Sequence, residues 1–275
     1  MRSHRLCFLG LPVLMLALSP AAGAQAFSDL SPLPASHRHA PISILRSRNG
    51  SVESYNWSGY AVDASNRTVT NVLGSWVVPT AACTSTDTYS SFWVGIDGYS
   101  SSTVEQTGTD SDCSGGSPSY YAWFEVYPHP SFEINTITVS PGDVMSASVV
   151  FDTKGKFTVS ITDTTNGQTF STSPHEFKAK RSSAQCIAEA PSVGGAIATL
   201  TNFGSVWFGE DNTGVQGSCG ATIDGTTAPL GTFAGINSIT MVNTALTPIA
   251  VPSALSSDGS SFTVAAYPAA ASERK

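Results

Sequence analysis

The sequence predicts an all-β protein, built as an antiparallel two-sheet β-sandwich, and three observations support this. From residue 54 onward the chain consists of short stretches rich in β-branched and aromatic residues, several of which alternate with polar residues. Glycine-containing turn dipeptides separate these stretches at residues 97–98, 141–142, 166–167 and 194–195. No long window carries the residue spacing of an amphipathic helix. Such spacing is typical of a sandwich.

Each predicted strand is short and is bounded by turn signals. In chain order the stretches are WSGYAV, TVTNVLGSWVV, SSFWVGIDGY, SYYAWFEVYP, DVMSASVVFD, KFTVSITDT, GAIATLTNF, GINSITMV and SSFTVAAYP. The chain has no repeat of fixed period, and no break divides residues 51–270. We therefore predict one domain over residues 51–275.

The amino terminus predicts export. Arg2 and Arg5 come before the apolar run LCFLGLPVLMLAL and the segment SPAAGAQA. A basic start, a short apolar run and an Ala-x-Ala site are features of a secretory signal peptide, and the run is too short for a good membrane anchor. We predict a signal peptide at residues 1–24 and a secreted, extracellular protein with no membrane attachment after its removal. Only 12% of the residues are charged, which is common in secreted β-rich proteins.

Four cysteines remain after the predicted signal peptide takes Cys7, namely Cys83, Cys113, Cys186 and Cys219. An even count in an exported chain favours two disulfides, and three pairings are possible. A zinc site is the rival interpretation. It is weak because no Cys-x-x-Cys spacing exists and only His129 and His175 lie in the body of the chain. We predict no metal site.

Residues 25–50 form a basic arm ahead of an acidic domain. The arm contains three arginines and two histidines but only one acid, Asp29. From residue 51 the chain has 8 Lys and Arg against 19 Asp and Glu, so the formal charge is 8 − 19 = −11. The arm could be a plain linker or a pro-segment held by charge attraction, and we predict a pro-segment. The acidic balance argues against nucleic-acid binding.

Most familiar catalytic motifs are missing, since the chain has no Gly-x-Ser-x-Gly, no His-Glu-x-x-His and no phosphate-binding glycine loop. The remaining candidates are acids and amides near aromatic residues, and they are Trp93, Asp97, Glu105, Gln106, Asp110, Glu125 and Glu189. Alternation along a strand places Glu105 and Gln106 on opposite faces. We expect one of them to point into a cleft and the other to meet solvent.

Seven motifs between Val52 and Tyr267 carry a family resemblance. In chain order they are VESYNWSGYAV, GSWVVP, FWVGIDG, VEQTGTD, YAWFEVYP, IAEAPS and SFTVAAY. In this order they resemble the glutamic peptidases, also called eqolisins. The resemblance implies a concanavalin/lectin-like jelly roll of two antiparallel sheets with a substrate cleft on one sheet. It also implies a secreted, acid-acting endopeptidase that is made as a precursor. We expect polypeptide substrates, no cofactor and a monomer.

The resemblance also implies site residues. The family's catalytic Gln falls on Gln106, and its catalytic Glu falls on Glu189. The other residues that it places along the cleft are Trp93, Asp97, Asp110 and Glu125. The chain departs from the family pattern three residues before Glu189, where Cys186 replaces the usual Trp. That departure suggests a disulfide from Cys186, and we predict the pairs Cys83–Cys113 and Cys186–Cys219.

The chemistry of a Gln/Glu dyad suits peptide hydrolysis in acid. A carboxylate can act as general base on a water molecule, and a carboxamide can donate N–H groups to the developing oxyanion without titrating. Burial in an apolar strand raises the pKa of a carboxyl such as Glu189 toward the range where it can exchange protons. Two rivals are a glycosidase that uses Glu125 and Glu189 as its carboxylate pair, and a sandwich that only binds glycans.

The basic arm and the acidic domain predict activation by acid. Near neutral pH the domain's carboxylates are ionised, and Arg38, Arg46 and Arg48 can lie against them. Below about pH 4 these carboxylates approach their reference pKa values and the attraction fades. We therefore expect a precursor that is latent near neutrality and cleaves itself in acid, leaving a new amino terminus near Asn49–Val52.

Overall fold

The structure is a computed structural model that describes residues 29–267. The predicted signal peptide and Cys7 lie outside these residues. The strands of the amino-terminal half are β1 (Leu30–Pro32), β2 (Ile44–Arg48), β3 (Ser51–Ser54), β4 (Trp57–Asp63), β5 (Val69–Val77), β6 (Ser91–Asp97), β7 (Val104–Ser114), β8 (Ser117–Tyr127), β9 (Phe132–Ile134) and β10 (Val144–Thr153).

The carboxyl-terminal half is also mostly strands. They are β11 (Lys156–Asp163), β12 (Thr169–Thr172), β13 (Ser183–Glu189), β14 (Ser192–Val193), β15 (Ala196–Ile197), β16 (Ser205–Phe208), β17 (Gly220–Ile223), β18 (Thr226–Pro229), β19 (Ile236–Val242), β20 (Pro248–Pro252) and β21 (Phe262–Ala266). The helical elements are α1 (Glu210–Thr213) and a 3-10 turn (Leu230–Thr232). Within residues 29–267, no helix has the length and hydropathy needed to cross a bilayer.

The strands form two layers of one continuous hydrogen-bonded ladder. The first layer runs in the order β1–β9–β8–β7–β6–β13–β4–β19. Strand β20 pairs with both β19 and β21 and so connects this layer to the second, which continues through β16, β5, β10, β11 and β12. Among the described strand pairs, β3 with β19 is the only parallel one. The predicted antiparallel β-sandwich is confirmed.

A large apolar core fills the space between the two layers. Phe92 and Val94 from β6 and Trp76 and Val149 from the second layer are fully buried in it. The layers approach closely at Gly74 of β5, where an added Cβ would lie 2.1 Å from the Val94 side chain. Strand alternation accounts for this core, because every second residue of each strand faces the opposite layer.

The outer face of the first layer carries a second apolar cluster. Trp57, Trp93 and Trp123 are fully buried there, although no second sheet among residues 29–267 covers this face. Leu33 and Ile42, from the basic arm, pack against the cluster. The arm therefore covers this face of the sheet.

One expectation about local structure is wrong. The stretch GAIATLTNF contributes only the two residues of β15, which pair with β14 in a separate small sheet. The arm, for which no secondary structure was predicted, contains β1 and β2. Strand β2 pairs with β3 across the predicted domain boundary at residue 51, so the end of the arm is part of the main sheet. Backbone pairing with a neighbouring strand, rather than local composition, orders these residues.

One of the two predicted disulfides is present. Cys83 and Cys113 are bonded, and their bridge closes a loop with a sequence separation of 30 residues. The prediction of a Cys186–Cys219 disulfide is wrong in this structure, because both residues are free, buried thiols. They nevertheless lie side by side. Burial and the interaction with Cys219 raise the pKa of Cys186 well above its ordinary value, so Cys186 is kept as a protonated thiol.

Candidate active site

Four adjacent strands of the first layer, β13, β6, β7 and β8, form the floor of the candidate site. Their register places Glu189 of β13 and Asp110 of β7 opposite the same residue of β6. Farther along, Gln106 of β7 pairs with Gly95 on one side and with Glu125 on the other. Residues of one row share a face of the sheet, so this register brings four of the predicted site residues onto the outer face.

Gln106 lies in a tight part of this floor. It is fully buried, and a Cβ added to the neighbouring Gly95 would lie only 3.1 Å from the Gln106 Cβ and 3.0 Å from the Trp93 ring. A larger residue at position 95 would therefore displace the amide. The Gln106 Nε2 donates a 2.6 Å hydrogen bond to the main-chain oxygen of His39 in the arm.

Glu189 is also fully buried, and both of its carboxyl oxygens have partners. The Trp93 indole N–H donates to Oε2 at 2.8 Å, and the main-chain N–H of Ala40 donates to Oε1 at 3.1 Å. Burial raises the pKa of Glu189 well above its ordinary value, and the charges of Glu125 and Asp110 add to this rise. Nearby His39 and the Trp93 hydrogen bond oppose it without cancelling it.

The arm crosses the site as an extended segment whose main-chain groups are bound in sequence. Arg38 exchanges two hydrogen bonds with Ser192, at 2.9 and 2.8 Å, just beyond the end of β13. The Trp57 indole N–H donates to the Ala40 oxygen at 3.0 Å, and the Asn56 amide donates to the Pro41 oxygen at 3.1 Å. This is how proteins bind extended peptides, with main-chain groups paired and side chains placed in pockets.

The imidazole of His39 occupies a closed pocket beside the dyad residues. It stacks on the Trp123 ring at 3.5 Å between centroids with 3° between the planes. Its Nδ1 lies 3.0 Å from a Glu125 oxygen, and its Nε2 lies 3.3 Å from an Asp110 oxygen. Burial opposes the charged form, but attraction and hydrogen bonds to the two carboxylates prevail and raise the pKa of His39 from 6.5 to about 10. His39 is thus an imidazolium.

Asp110 is the centre of a second set of contacts. His37 Nε2 lies 3.0 Å from one of its oxygens, and the Tyr121 hydroxyl donates to the same oxygen at 2.9 Å. Burial alone would raise the pKa of Asp110, but the nearby His39 and His37 hold it well below its ordinary value. Asp110 is therefore held in its ionised form beside the two histidines of the arm.

Asp112 behaves in the opposite way. Burial and the charge of Asp110 raise the pKa of Asp112 well above its ordinary value. The Tyr121 hydroxyl also lies 2.9 Å from the Asp112 Oδ2, so the single hydroxyl proton is shared between Asp110 and Asp112. Tyr121 therefore bridges the two carboxyls.

Asp97 and Glu105 do not contact the arm among the described hydrogen bonds. The Asp97 carboxylate accepts from the main-chain N–H groups of Arg181 and Ser182 at 2.8 and 2.9 Å, so it fixes the turn before β13. If Gln106 faced the cleft, Glu105 was expected to be exposed to solvent. That expectation is wrong, because Glu105 lies on the face of the first layer that the second layer covers. It is fully buried, and burial together with the charge of Asp97 raises its pKa well above the ordinary value.

One trio could geometrically hold a metal ion among residues 29–267. The ligand atoms of His37, His39 and Asp110 all lie within 4.8 Å of one another. Two of the three residues belong to the arm, and the hydrogen bonds described above already pair them with carboxylates. We assign these residues to arm binding.

Sequence reasoning missed several residues that line this site. The arm contributes His37 and His39, and the sheet contributes Asn56, Trp57 and Trp123. The paired histidines in SHRHA were visible only as part of a basic charge count. Their alternate spacing in an extended segment was a usable signal, because residues two apart point the same way.

The protein is thus a β-sandwich that carries a buried amide, Gln106, and a buried acid, Glu189, on one face of a sheet. Residues 55–257 match the model of the Peptidase A4 family, so this chain belongs to that family, the eqolisins whose motifs it resembles. It is 33% identical over 125 residues to aspergillopepsin-2 of Aspergillus niger, covering 43% of each chain. It is 34% identical over 137 residues to scytalidopepsin B of Scytalidium lignicola, covering 49% of each.

A solved structure shows the same fold. The crystal structure of scytalido-glutamic peptidase with a transition state analog inhibitor matches with a TM-score of 0.65 at 23% identity. The match covers 78% of this chain and 98% of that one. The chain spans about half the length of the curated relatives that it matches.

Proposed function

We propose that this protein is a secreted, acid-acting endopeptidase in which Glu189 activates a water molecule and Gln106 stabilises the oxyanion. The observation that carries the proposal is the arm's His39–Ala40 peptide bond, whose oxygen meets the Gln106 amide and whose nitrogen meets the Glu189 carboxyl. Membership of a peptidase family supports the same reaction.

The residues have complementary tasks in this mechanism. Glu189 acts in its ionised form, which the His39 charge and the Trp93 hydrogen bond favour against the effect of burial, and takes a proton from water as the water attacks the carbonyl carbon. The Gln106 N–H groups face the carbonyl oxygen, where negative charge develops. The Gln106 Oε1 is buried without a hydrogen-bond partner among the described residues, so it offers a spare acceptor beside the reacting carbon. Glu189 then returns the proton to the nitrogen that it already contacts, and the amine leaves.

Trp93, Asp110 and Glu125 serve the substrate in this proposal. Trp93 orients the Glu189 carboxyl through its indole N–H. Asp110 and Glu125 bind the side chain next to the scissile bond. Asp97 supports the site indirectly, because it fixes the backbone that leads into β13.

We also assign residues 25–50 to an inhibitory pro-segment. The described part of the arm occupies the face where a substrate would bind, so an added polypeptide could not reach Gln106 or Glu189. Charge complementarity between the arm and the domain holds it there, as the Arg38 guanidinium 3.7 Å from Glu125 illustrates.

The test is a double-mutant cycle on purified enzyme freed of its arm. Hydrolysis of a denatured protein and of a glycan panel is measured at pH 3–4 for wild type, Gln106→Ala, Glu189→Gln and the double variant. We expect proteolysis only, and losses in the double variant far below the sum of the single losses. Near-normal proteolysis by a folded Glu189→Gln enzyme, or hydrolysis of a glycan, contradicts the proposal.

A further inference from the structure

We infer that His39–Ala40 is the first bond that this protein cuts in its own chain, and that the pocket around His39 selects an imidazolium side chain before the scissile bond. The inference rests on the proposed function and goes beyond it, because it names both the bond and the chemical class of sequence that the site prefers.

The His39–Ala40 bond lies between the side chains of Gln106 and Glu189. Its carbonyl oxygen accepts from Gln106 at 2.6 Å, and its N–H donates to Glu189 at 3.1 Å. The chain on both sides is fixed, by Ser192 before the bond and by Trp57 and Asn56 after it. Holding a bond in this way between the oxyanion donor and the general base lowers the entropic part of the barrier.

The step balances as a simple hydrolysis. The oxygen of one water molecule bonds to the carbonyl carbon of His39, and Glu189 takes the proton that this water loses. The C–N bond then breaks, and that proton goes to the nitrogen of Ala40. The products are a carboxyl group on His39 and an amino group on Ala40, and Glu189 is restored.

The pocket around His39 is built for a flat, positively charged ring. His39 is fully buried, its ring lies flat on Trp123, and each of its nitrogens faces a different carboxylate, Asp110 or Glu125. The other charged or titratable groups around it are His37, Arg38, Asp112 and Glu189. A neutral side chain would leave the two carboxylates without this cation, and a lysine could not reproduce the planar, two-sided contact.

The bonds near Asn49–Val52, where cleavage was expected, are less suited to a first cut than the His39–Ala40 bond. Asn49 and Gly50 form the exposed turn between β2 and β3, and Val52 is buried in the sheet. The Gly50 oxygen also accepts from Ser238 at 2.8 Å. These bonds are held by a strand pairing and not by the dyad, so we expect any cleavage there to follow the first cut.

The first experiment follows the purified full chain after a shift to pH 3–4, by intact mass and amino-terminal sequencing over a concentration series. We expect the first new amino terminus to be Ala40, with a rate constant independent of protein concentration because the bond lies in its own cleft. A first cut elsewhere, or a rate proportional to concentration, overturns the inference. His39→Gln should slow this cut roughly tenfold or more, whereas the matched control His37→Gln should slow it less.

The second experiment measures the pocket without self-cleavage. Arm-free enzyme hydrolyses a quenched peptide of residues 35–43 and versions carrying His39→Gln, His39→Phe or His39→Lys. We expect kcat/KM for the His peptide to exceed that for the Gln peptide by roughly tenfold to a hundredfold. Asp110→Asn should shrink that ratio, which a purely structural role would not change. Equal rates for the His and Gln peptides overturn the inference.

The two proposals fail in different ways. If wild type degrades denatured protein through Glu189 but neither cuts at Ala40 nor prefers the His peptide, only this inference is wrong. If a folded wild-type enzyme degrades neither the peptides nor denatured protein, the peptidase function itself is wrong.

Discussion

Glu105 and Glu189 lie on the two opposite faces of the first layer, and both are fully buried. Burial raises the pKa of both carboxyls well above the ordinary value. Of the two, only Glu189 accepts a hydrogen bond on each carboxyl oxygen, one from the Trp93 N–H and one from the Ala40 N–H. The electrostatic neighbours of Glu105 are other acids, Asp97 and Glu176, and the Thr103 side chain.

The difference shows that a raised pKa does not by itself identify a catalytic carboxyl. Burial on either face of a two-layer sheet produces the shift. What separates the two residues is access to a peptide bond, and only the outer face has it.

The largest effect should come from the matched pair Glu189→Gln and Glu105→Gln. Each replaces a buried carboxyl by an amide of similar shape. We expect Glu189→Gln to reduce kcat by about a thousandfold or more, because it removes the general base, and Glu105→Gln to leave acid proteolysis unchanged. Assays at pH 3–4 with circular dichroism to verify folding decide this. A comparable loss in both variants would remove the distinction between the two faces.

The next largest effect concerns the free energy of unfolding and how it changes with pH. A carboxyl whose pKa is raised in the folded state stabilises fully below its unfolded value, about 4.3 for Glu, and this stabilisation is lost as the pH rises through the folded value. Glu105 and Glu189 both follow this sign, so their contribution to stability should be largest in acid. Glu105→Gln should raise the free energy of unfolding at pH 7 by on the order of 1–3 kcal/mol and leave it nearly unchanged at pH 3. Urea unfolding at both pH values provides the measurement, and a destabilised variant at pH 7 would contradict it.

A smaller effect should follow from Trp93→Phe, which keeps an aromatic ring but removes the N–H that meets Glu189. This hydrogen bond lowers the pKa of Glu189 against the effect of burial. Its loss should move the acid limb of the kcat profile to higher pH and reduce kcat by about tenfold, the size of one hydrogen bond to a charged group. Trp76→Phe serves as the control, since Trp76 lies between the layers and donates to Thr109. An unshifted acid limb in Trp93→Phe would show that Trp93 does not tune Glu189.

The smallest effect concerns the pH range of arm binding. The raised pKa of His39 contributes binding that is fully present below about 6.5 and is lost as the pH rises toward about 10. The lowered pKa of Asp110 contributes binding that is present above about 3.9 and is lost as the pH falls. A synthetic peptide of residues 30–43 should therefore bind arm-free Glu189→Gln enzyme, which does not cut it, most tightly between about pH 4 and 6.5, with severalfold weaker binding outside that window, as measured by calorimetry. An affinity that rises steadily toward pH 8 would contradict this pairing.

The arm refines the expected mechanism of activation. Loss of attraction below about pH 4 was expected to release it. Asp110, however, keeps its charge to lower pH than an ordinary carboxyl because His37 and His39 face it. We therefore expect cleavage of the arm, more than its dissociation, to open the site.

Much of the fold followed from local pattern. Alternating residues and glycine turns predicted the strands that form β4, β5, β6, β8, β10 and β11. Alternation also placed Glu105 and Gln106 on opposite faces. It could not show what covers each face, and for that reason Glu105 was wrongly given to solvent as one of the two alternatives.

The order of motifs identified the family, and composition identified the basic arm and the acidic domain. Only the tertiary structure decided that the arm crosses the sheet with His39 between Asp110 and Glu125, and that Cys186 and Cys219 remain thiols. The physical reason is that periodicity depends on the order of residues along the chain and net charge depends on composition, so both can be read from the sequence. Pockets, ion pairs and the peptide bond that meets Gln106 and Glu189 depend on distances between residues about 70 to 150 positions apart, which the folded sheets alone fix.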